Sequence, residues 1–416
     1  MDGKLGYYAT FVQNEWVRGV TALWFTREDS TAIVLSGDAG CGKTHTLMSL
    51  FKNLDDLGLS DMYRVGATTH KAAEVMAAAH CTTYQTLLGF NMDMCTASFE
   101  AFTRLYDRRY RSIIEEWGRI KASSVALAGT VKEHDCTALS MRCPHCAGVI
   151  RKIISKQCYC PPIVGTSLIV IDEYGIMSEL SLRKVLYATN KFRLEGQGFI
   201  IIFSGSVSQL SVPEMPPIWS SMLFRSMISH TYSLFINFRV EDRDYSEALS
   251  LLQFNLVSKS AKELFDSRVV GRKAFDPDFQ RGVTRIFNSN APRDEFNFKC
   301  LNKQVEAREA RARGEEEEDP DDGSPPWSDV RGPFAVNTYA AQGSTMDALV
   351  YAPPEKNYFA STIKPSAYVA CSRVRRRENL FLSCNSFAKN CGPAPFFPNQ
   401  LLDHKKIMEM GYVLKE

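Results

Sequence analysis

The chain has 416 residues, of which 45% are hydrophobic and 23% are charged, and its formal net charge is +2. This composition is typical of a globular protein with two or three domains, and a charge so close to zero neither requires nor excludes nucleic acid, because a local basic groove is sufficient. No run of about 18 apolar residues occurs, which excludes a membrane-spanning helix.

The cysteine content and the N-terminus indicate a reducing, intracellular location. The chain has twelve cysteines, but Met1–Lys4 does not begin a basic-then-apolar secretion signal. In such a chain, free thiols and metal ligands are expected in place of disulfides.

The first predicted element is a helix over residues 1–30, where apolar side chains from Tyr7 to Trp24 recur at roughly helical spacing. Gln13 lies in this helix, upstream of a glycine-rich segment. A glutamine in that place can read the edge of an adenine base. The alternative is an exposed helical glutamine with no ligand.

A phosphate-binding loop follows. Ala32–Leu35 is an apolar run of the buried-strand type, Gly37–Thr44 fits the P-loop pattern G-x-x-x-x-G-K-[ST], and a helical pattern begins at Thr46. Glycines let backbone N–H groups surround a triphosphate, and the helix dipole adds to the attraction. We expect Lys43 to reach the β- and γ-phosphates and the Thr44 hydroxyl to bind Mg²⁺.

A second strand, Tyr63–Thr68, leads into a helix that begins near Thr69. Thr68 or Thr69 is predicted to cap this helix. Helix N-termini with small hydroxyl residues bind phosphates well, which suits a nucleic-acid backbone. The alternative is a simple N-cap.

Residues 91–164 interrupt the strand–helix order with an arginine-rich helix, Phe99–Lys121, and a cysteine cluster. A C-x2-C and a C-x-C eleven residues apart resemble zinc knuckles, and an insertion with little apolar content would benefit from a metal. The candidate zinc ligands are Cys143, Cys146, Cys158 and Cys160, with His134, Cys136 and His145 as substitutes. The alternative is a set of partly buried free cysteines.

Two further buried strands end in polar groups. Ser167–Ile171 precedes Asp172 and Glu173 in the manner of a Walker B motif, with Asp172 holding Mg²⁺ and Glu173 orienting or deprotonating the attacking water. Such a carboxylate pair is costly to bury unless it meets cations. Gly198–Phe203 is the next strand, and Gln209 lies beyond its polar end, where a sensor of the γ-phosphate is expected.

The second half of the chain contains more arginines in motif-like settings. Arg239, in Asn237-Phe238-Arg239, is a candidate finger for the γ-phosphate, and the alternative is a surface salt bridge. Glu315–Gly323 is an acidic segment predicted to be a mobile surface loop. Arg373–Arg377 is a basic cluster for phosphate or nucleic acid, with a solvated run of charges as the alternative.

Taken together and in order, these segments resemble the superfamily 1 helicases of the B type, in the RecD-like, PIF-like and Dda-like branch. The resemblance covers residues 10–385. The matching segments are Gly37–Thr44 (motif I), Ala67–Ala73 (the "APTHKAA" segment), Ile171–Glu173 (motif II), Gly205–Leu210 (motif III), Asn237–Arg239 (motif IV), Gln342–Thr345 (motif V) and Tyr368–Arg373 (motif VI).

The resemblance implies an α/β fold with two RecA-like P-loop NTPase lobes around one ATP and a small cysteine-rich insertion in the first lobe. The implied boundaries are 1–90 and 165–230 for the first lobe, 91–164 for the insertion, and 231–416 for the second lobe with an acidic loop at 303–332. The insertion occupies the family's 1B position, where a pin normally lies.

The resemblance also assigns roles to residues, in three groups. The catalytic group is Lys43, Glu173, Arg239 and Arg373; the ATP and Mg²⁺ group is Gln13, Gly37, Gly40, Gly42, Lys43, Thr44, Asp172, Gln209, Gln342 and Gly343; the nucleic-acid group is Thr68, Thr69, His70 and Thr345. Arginines that reach across a cleft between lobes stabilise charge in the transition state.

The sequence departs from the family in three places. Ser206 stands where motif III usually has Asp, which predicts weaker coupling between hydrolysis and movement. Gln85 replaces the usual His of the "TIHS" segment, and only an acidic loop remains where the family often inserts an SH3-like 2B domain. Asp172–Met177 looks like the "DEAGLL" segment of the herpesvirus helicase–primase helicase, which implies a large DNA virus and its host nucleus.

The resemblance implies an ATP-dependent helicase or translocase that moves 5′ to 3′ on single-stranded DNA in replication, recombination or repair, with a primase or polymerase as partner and no membrane. Two alternatives stay open. One is a superfamily 1 helicase that acts on RNA. The other is a helicase-derived scaffold subunit of a replication complex, which Ser206 and the missing 2B region favour. The intact motif residues argue against it: Lys43, Asp172, Glu173, Arg239 and Arg373. A small-molecule P-loop kinase would leave motifs V and VI unexplained.

Overall fold

The computed structural model describes residues 3–26, 29–122, 140–143, 146–156, 159–194, 198–206, 215–234, 236–253, 258–271, 273, 276–279, 283–313, 334–352 and 360–383. The described residues form two compact units, the first extending to Ile236 and the second beginning at Asn237. No helix in these ranges is long and apolar enough to cross a lipid bilayer.

The first unit is built on a parallel sheet of six strands. The strands are β1 (Thr31–Gly37), β2 (Tyr63–Ala67), β3 (Thr82–Thr83), β4 (Leu168–Asp172), β5 (Ile200–Gly205) and β6 (Ile228–Leu234), and their order in the sheet is β3-β2-β4-β5-β1-β6. Four of these strands end at predicted motifs, and the carboxyl ends of such strands form the edge where α/β proteins bind their ligands; these strand ends are Gly37, Ala67, Asp172 and Gly205. The domain boundary predicted between residues 230 and 231 falls inside β6, which pairs with β1.

Helices cover both faces of this sheet. They are α1 (Gly3–Thr26), α2 (Lys43–Asp56), α3 (His70–Val75), α4 (Tyr84–Leu88), α5 (Met92–Thr96), α6 (Phe99–Ala122), α7 (Ala147–Ile154), α8 (Glu179–Lys191) and α9 (Met222–Met227). Successive strand residues enter opposite cores, as a strand period of two requires. Ile33 and Leu35 pack with α1 and α2, whereas Ala32 and Val34 join the core that contains α6, α7 and α8.

The insertion has its own apolar side, and the expectation of little apolar content was wrong. The helix α6 buries five large side chains against the first unit: Phe102, Tyr106, Ile113, Trp117 and Ile120. Their spacings of four, seven, four and three residues place them on one face of the helix. Each contributes about 1.5–3 kcal/mol through burial, so packing stabilises this segment without requiring a metal.

Two buried cations connect the insertion to the rest of the first unit. Lys184 on α8 donates from its ammonium to the carbonyls of Met94 (2.9 Å) and Cys95 (2.8 Å). The Arg151 guanidinium pairs with Asp61 at 3.0 Å and also donates to the carbonyl of Val164 at 3.2 Å. Because these contacts join positions that are distant in the chain, no local sequence pattern predicts them.

The second unit contains a parallel sheet of four strands, β7 (Thr284–Phe287), β8 (Ala335–Asn337), β9 (Leu349–Ala352) and β10 (Leu380–Leu382), in the order β10-β9-β7-β8. Its helices are α10 (Arg243–Gln253), α11 (Lys259–Asp266), α12 (Asn290–Ala312), α13 (Thr338–Ala341) and α14 (Ala360–Cys371). The two sheets confirm the predicted α/β class. Residues 303–312, expected in the acidic loop, continue α12 as a helix, and Glu315–Gly323 lies outside the described residues.

Candidate active site

The glycine-rich loop joins β1 to α2 with the backbone geometry that its glycines allow. Gly40 and Gly42 have φ angles of 87° and 81°, in the left-handed region where a side chain is strained. A Cβ atom on Gly37 would lie 3.0 Å from the carbonyl oxygen of Leu234 on the neighbouring strand. The local sequence therefore forms a tight turn that leads directly into the N-terminus of α2.

Lys43 is the first residue of α2, and its ammonium group lies against the loop. It donates to the carbonyls of Gly37 at 2.6 Å and Asp38 at 3.0 Å. Its positive charge also lowers the pKa of Asp172. The loop that follows β1 and the end of β4 lie at the carboxyl edge of the same parallel sheet, and Thr44 follows Lys43 half-buried on the same turn.

Asp172 ends β4 as a buried carboxylate. Burial and the charge of Glu173 raise its pKa to about 6, against the lowering effects of a hydrogen bond from Ser204 and the charge of Lys43. An isolated buried carboxylate favours its protonated form, whereas a bound cation reverses that preference. The donor set of Asp172 and the Thr44 hydroxyl therefore fits a hard cation such as Mg²⁺.

Glu173 is held in a strained backbone conformation. Its φ is 55° and its side chain is buried, although it is not a glycine. Such a conformation costs on the order of 1–3 kcal/mol and is concentrated at functional sites. The Thr68 hydroxyl donates to the Glu173 carbonyl at 2.9 Å, and the Thr68 N–H donates to the Asp172 carbonyl at 3.1 Å. Thr68 therefore supports the carboxylate pair, a role that the sequence did not indicate.

The remaining predicted nucleic-acid residues of this unit differ in exposure. The Thr69 hydroxyl accepts a hydrogen bond from the Ala72 N–H, so it is the N-cap of α3. His70 is exposed at the start of that helix. Because Ala67 pairs with Thr83, the segment that begins at Thr68 lies beside the end of β3. Contact of these residues with nucleic acid stays a prediction.

The two other nucleotide-binding candidates of this unit have different outcomes. Gln13 is buried in α1, so the alternative of an exposed helical glutamine was wrong. Its contact with adenine stays a prediction. Gln209 lies outside the described residues.

Ser206 contacts a carboxylate from the phosphate loop. Its hydroxyl, which is buried, donates to Asp38 Oδ1 at 3.4 Å, and the two residues follow the adjacent strands β5 and β1. The carboxylate that motif III lacks at position 206 is therefore present at the same place, supplied by Asp38 in motif I. This contact weakens the argument that Ser206 uncouples the site.

Exchanging these two residues tests the contact. Ser206→Asp places a second carboxylate in a buried position, and we expect it to lower the free energy of unfolding by about 1–3 kcal/mol. The double variant Asp38→Ser, Ser206→Asp restores one carboxylate and one hydroxyl, so we expect most of the loss to be recovered. Urea unfolding of wild type, of the single variants Ser206→Asp and Asp38→Ser and of the double variant measures the coupling between the two positions. Additive changes in the free energy of unfolding would contradict the contact.

In the second unit, the two candidate arginines meet at one residue. Arg239 Nη1 donates to the Ser372 carbonyl at 3.0 Å, and Arg373 Nη2 donates to the Ser372 hydroxyl at 2.7 Å. Arg373 is 1% exposed and also donates to the Val369 carbonyl at 2.7 Å. Motifs IV and VI thus form one cluster within this unit, while the catalytic roles of both arginines stay predictions.

Motif V adjoins this cluster. Arg373 Nη1 donates to the Ser344 carbonyl at 3.3 Å, and the Met346 N–H donates to the Arg373 carbonyl at 2.9 Å. Gln342 is buried, whereas Thr345 is exposed. The φ of 82° at Gly343 explains why a glycine is required in that turn.

Two members of the basic cluster have acidic neighbours. Arg376 pairs with Glu241 at 2.8 Å, and Arg377 pairs with Asp242 at 3.1 Å. Both arginine side chains and that of Glu241 are at least 40% exposed, and that of Asp242 is 23% exposed. This arrangement favours the alternative of a solvated run of charges at Arg376 and Arg377, while Arg373 belongs to the buried cluster.

The zinc prediction is not confirmed. Cys146 and Cys160 are buried within the core of the first unit, and Cys143 packs against that core. Within the described ranges, no group of three or more His, Cys, Asp or Glu side chains could hold a metal ion. Cys158, with the substitutes His134, Cys136 and His145, lies outside those ranges, so the complete ligand set stays a prediction.

Comparison with known proteins agrees with this architecture. Residues 21–211 match a family model described as an AAA domain. No protein with a curated description matches the chain. The chain is similar to the crystal structure of Pif1 helicase from Candida albicans, with a TM-score of 0.61 and 15% identity over 96% of this chain and 98% of that one.

Two structures of Pif1 from Bacteroides give similar values. The complex with ADP-AlF4 has a TM-score of 0.54 and 14% identity over 94% of this chain and 96% of that one. The complex with ADP-AlF3 and single-stranded DNA has a TM-score of 0.52 and 13% identity over 95% and 97%. Together with the two parallel sheets and the P-loop geometry, these matches show that the chain has the α/β fold of the Pif1 helicases.

Proposed function

We propose that this protein is an ATP-dependent helicase or translocase that acts on single-stranded DNA. The observation that carries the proposal is the placement of the glycine-rich loop with Lys43 and of the buried carboxylates Asp172 and Glu173 at the same carboxyl edge of the first sheet. The relative with this fold from Bacteroides was solved with ADP-AlF3 and single-stranded DNA, which supports the same ligands here.

The residues of the site divide the chemistry among them. When Mg²⁺ is bound with ATP, it neutralises charge on the phosphates. Thr44 and Asp172 would hold the ion, and the backbone N–H groups of the glycine-rich loop with Lys43 would hold the phosphates. Glu173 would orient or deprotonate the attacking water, and its fixed backbone, supported by Thr68, holds the carboxylate in place.

The second unit would contribute Arg239 and Arg373. Their hydrogen bonds to the single residue Ser372 keep the two guanidinium groups together. Arginines in this role stabilise the charge of the transition state and report the state of the nucleotide. In this proposal, Thr345 and the exposed His70 contact the sugar–phosphate backbone, where contacts carry little sequence preference.

Several finer assignments rest on the sequence alone, either on the resemblance of the motifs or on the cysteines and the N-terminus, and are part of the proposal. They are movement from 5′ to 3′, a role in replication, recombination or repair, a primase or polymerase partner, relation to a viral helicase–primase helicase, zinc in the cysteine cluster, and a reducing intracellular location. One of the two observations that favour the scaffold alternative, the serine at 206, is weakened because Asp38 supplies a carboxylate beside it.

The proposal is tested by measuring ATP hydrolysis alone, with single-stranded DNA and with single-stranded RNA. We expect DNA to stimulate turnover at least tenfold, because closure of the site is coupled to the bound strand in such enzymes. Stimulation by RNA alone would move the protein to the RNA alternative. Hydrolysis that responds to neither would favour a subunit that requires a partner.

A further inference from the structure

We propose that Tyr159 and Arg109 form a stacking platform for a base of the bound strand and extend the nucleic-acid surface into the insertion. This inference deepens the proposed function and rests on it. Tyr159 lies between two cysteines of the candidate zinc cluster, and neither the motifs nor the predicted contacts include it. The inference begins from two contacts of its side chain and from its exposure.

The tyrosine ring is held in place while half of it stays exposed. The hydroxyl of Tyr159 donates to the Thr86 carbonyl at 3.3 Å. The carbon of the Arg109 guanidinium lies 4.4 Å from the ring centroid, which is a cation–π contact. The side chain is nevertheless 51% exposed, so a large aromatic surface remains open to solvent on a ring whose orientation is fixed.

The position of the ring connects it to the predicted strand contacts. The Tyr159 hydroxyl is hydrogen-bonded to Thr86 in α4, and α4 follows β3 directly. The strand β3 pairs in parallel with β2, whose end leads to Thr68, Thr69 and His70. The carboxyl ends of parallel strands meet at one edge of a sheet. The platform therefore lies beside the segment Thr68–His70, which the motifs assign to nucleic-acid binding.

The charge of Arg109 is available to a phosphate. Within the part of the chain that the structure describes, Arg109 forms no ion pair, and the ring of Tyr159 is its partner. Aromatic rings bind single strands by stacking on bases of any kind, and arginines on the same surface bind phosphates. An exposed ring and a guanidinium that forms no ion pair with the described residues lie side by side and supply both elements of such a site.

The alternative is that the contact only stabilises the surface of the insertion. In that case Tyr159 would behave like other exposed aromatic side chains. Phe25 is the matched control, because it is 64% exposed and lies on α1, which packs on the opposite face of the sheet. Arg104 is the control for Arg109, because it is exposed on the same helix five residues earlier.

The experiment measures binding by fluorescence anisotropy with an oligothymidylate and with an oligonucleotide of the same length that lacks bases. We expect Tyr159→Leu to weaken binding of the oligothymidylate about tenfold, since stacking on one ring accounts for a change of this order. Tyr159→Leu should bind the base-free strand within twofold of wild type. Each control variant should bind both strands within twofold of wild type; these variants are Tyr159→Phe, Phe25→Ala and Arg104→Gln. Equal melting temperatures would show that the variants fold.

Salt dependence separates the two residues. For single strands, each phosphate contact changes the slope of log affinity against log salt by about 0.7. We expect Arg109→Gln to make this slope less negative by about that amount, whereas Tyr159→Leu should leave it unchanged. The inference is overturned if Tyr159→Leu binds like wild type or weakens both strands equally. If wild type binds neither strand, the proposed function itself fails.

Discussion

Lys43→Ala is expected to reduce ATP turnover by about a thousandfold or more, because a single positive group at a transferring phosphoryl contributes an effect of this size. The ammonium of Lys43 already lies in the loop, fixed by the carbonyls of Gly37 and Asp38 at 2.6 and 3.0 Å. The site therefore requires little rearrangement to place this charge against the β- and γ-phosphates. Removing it also removes the cation that favours the ionised form of Asp172.

The control for this variant is Lys52→Ala. Lys52 lies on the same helix, α2, and is exposed, so its loss changes helix charge without touching the loop. Steady-state hydrolysis with saturating single-stranded DNA should be near wild type for Lys52→Ala and close to background for Lys43→Ala. Near-normal turnover by Lys43→Ala would remove the P-loop assignment. A melting temperature close to wild type would show that the loss does not arise from unfolding.

The two motifs of the first unit that the sequence predicts most clearly are encoded in consecutive residues. The loop from Gly37 to Thr44 and the strand that ends in Asp172 each contain their whole signal in fewer than ten positions. Hydrophobic runs gave the strands, and glycines gave the turn between strand and helix. The structure places both motifs at the same edge of one sheet, because every strand of the first sheet is parallel.

The contacts that were not predicted join distant positions. Thr68 supports Glu173 across 105 residues, Ser206 meets Asp38 across 168, and Arg239 reaches Ser372 across 133. No local pattern can report such a pair, since each hydroxyl or guanidinium looks the same whether it faces solvent or a buried partner. The strain at Glu173 is hidden for the same reason, because a φ of 55° depends on its surroundings.

The insertion shows a different kind of error. The apolar spacing from Phe102 to Ile120 was present in the sequence, but the cysteine spacing received more weight. A periodic apolar face predicts burial directly, whereas a pair of short cysteine motifs predicts a metal only if four ligands converge. The boundary near residue 230 failed because β6 continues the first sheet beyond it, which the local sequence does not reveal.

Glu173→Gln is expected to bind ATP as wild type does but to hydrolyse it about a hundredfold to ten-thousandfold more slowly, which is the usual contribution of a general base. Glutamine keeps the length of the side chain, and the backbone carbonyl that accepts the Thr68 hydroxyl is unchanged. The loss should therefore appear in kcat and not in nucleotide affinity. Glu179→Gln is the matched control, because Glu179 begins α8 on the surface beside Arg183.

The same variant has a second consequence, which concerns the metal ligand. Burial and, after it, the charge of Glu173 raise the pKa of Asp172 to about 6, so protons compete with a cation at that carboxylate as the pH falls through this value. Glu173→Gln removes the repulsion but leaves the burial, so the pKa of Asp172 should fall without reaching its ordinary value. Binding of Mg²⁺ with an ATP analogue, titrated at pH 5.5 and pH 8, should weaken at the lower pH in wild type and less in the variant. Unimpaired turnover by Glu173→Gln would show that the general base is a different residue. Lost turnover with an unchanged pH dependence of Mg²⁺ binding would support Glu173 as the base but contradict its effect on the pKa of Asp172.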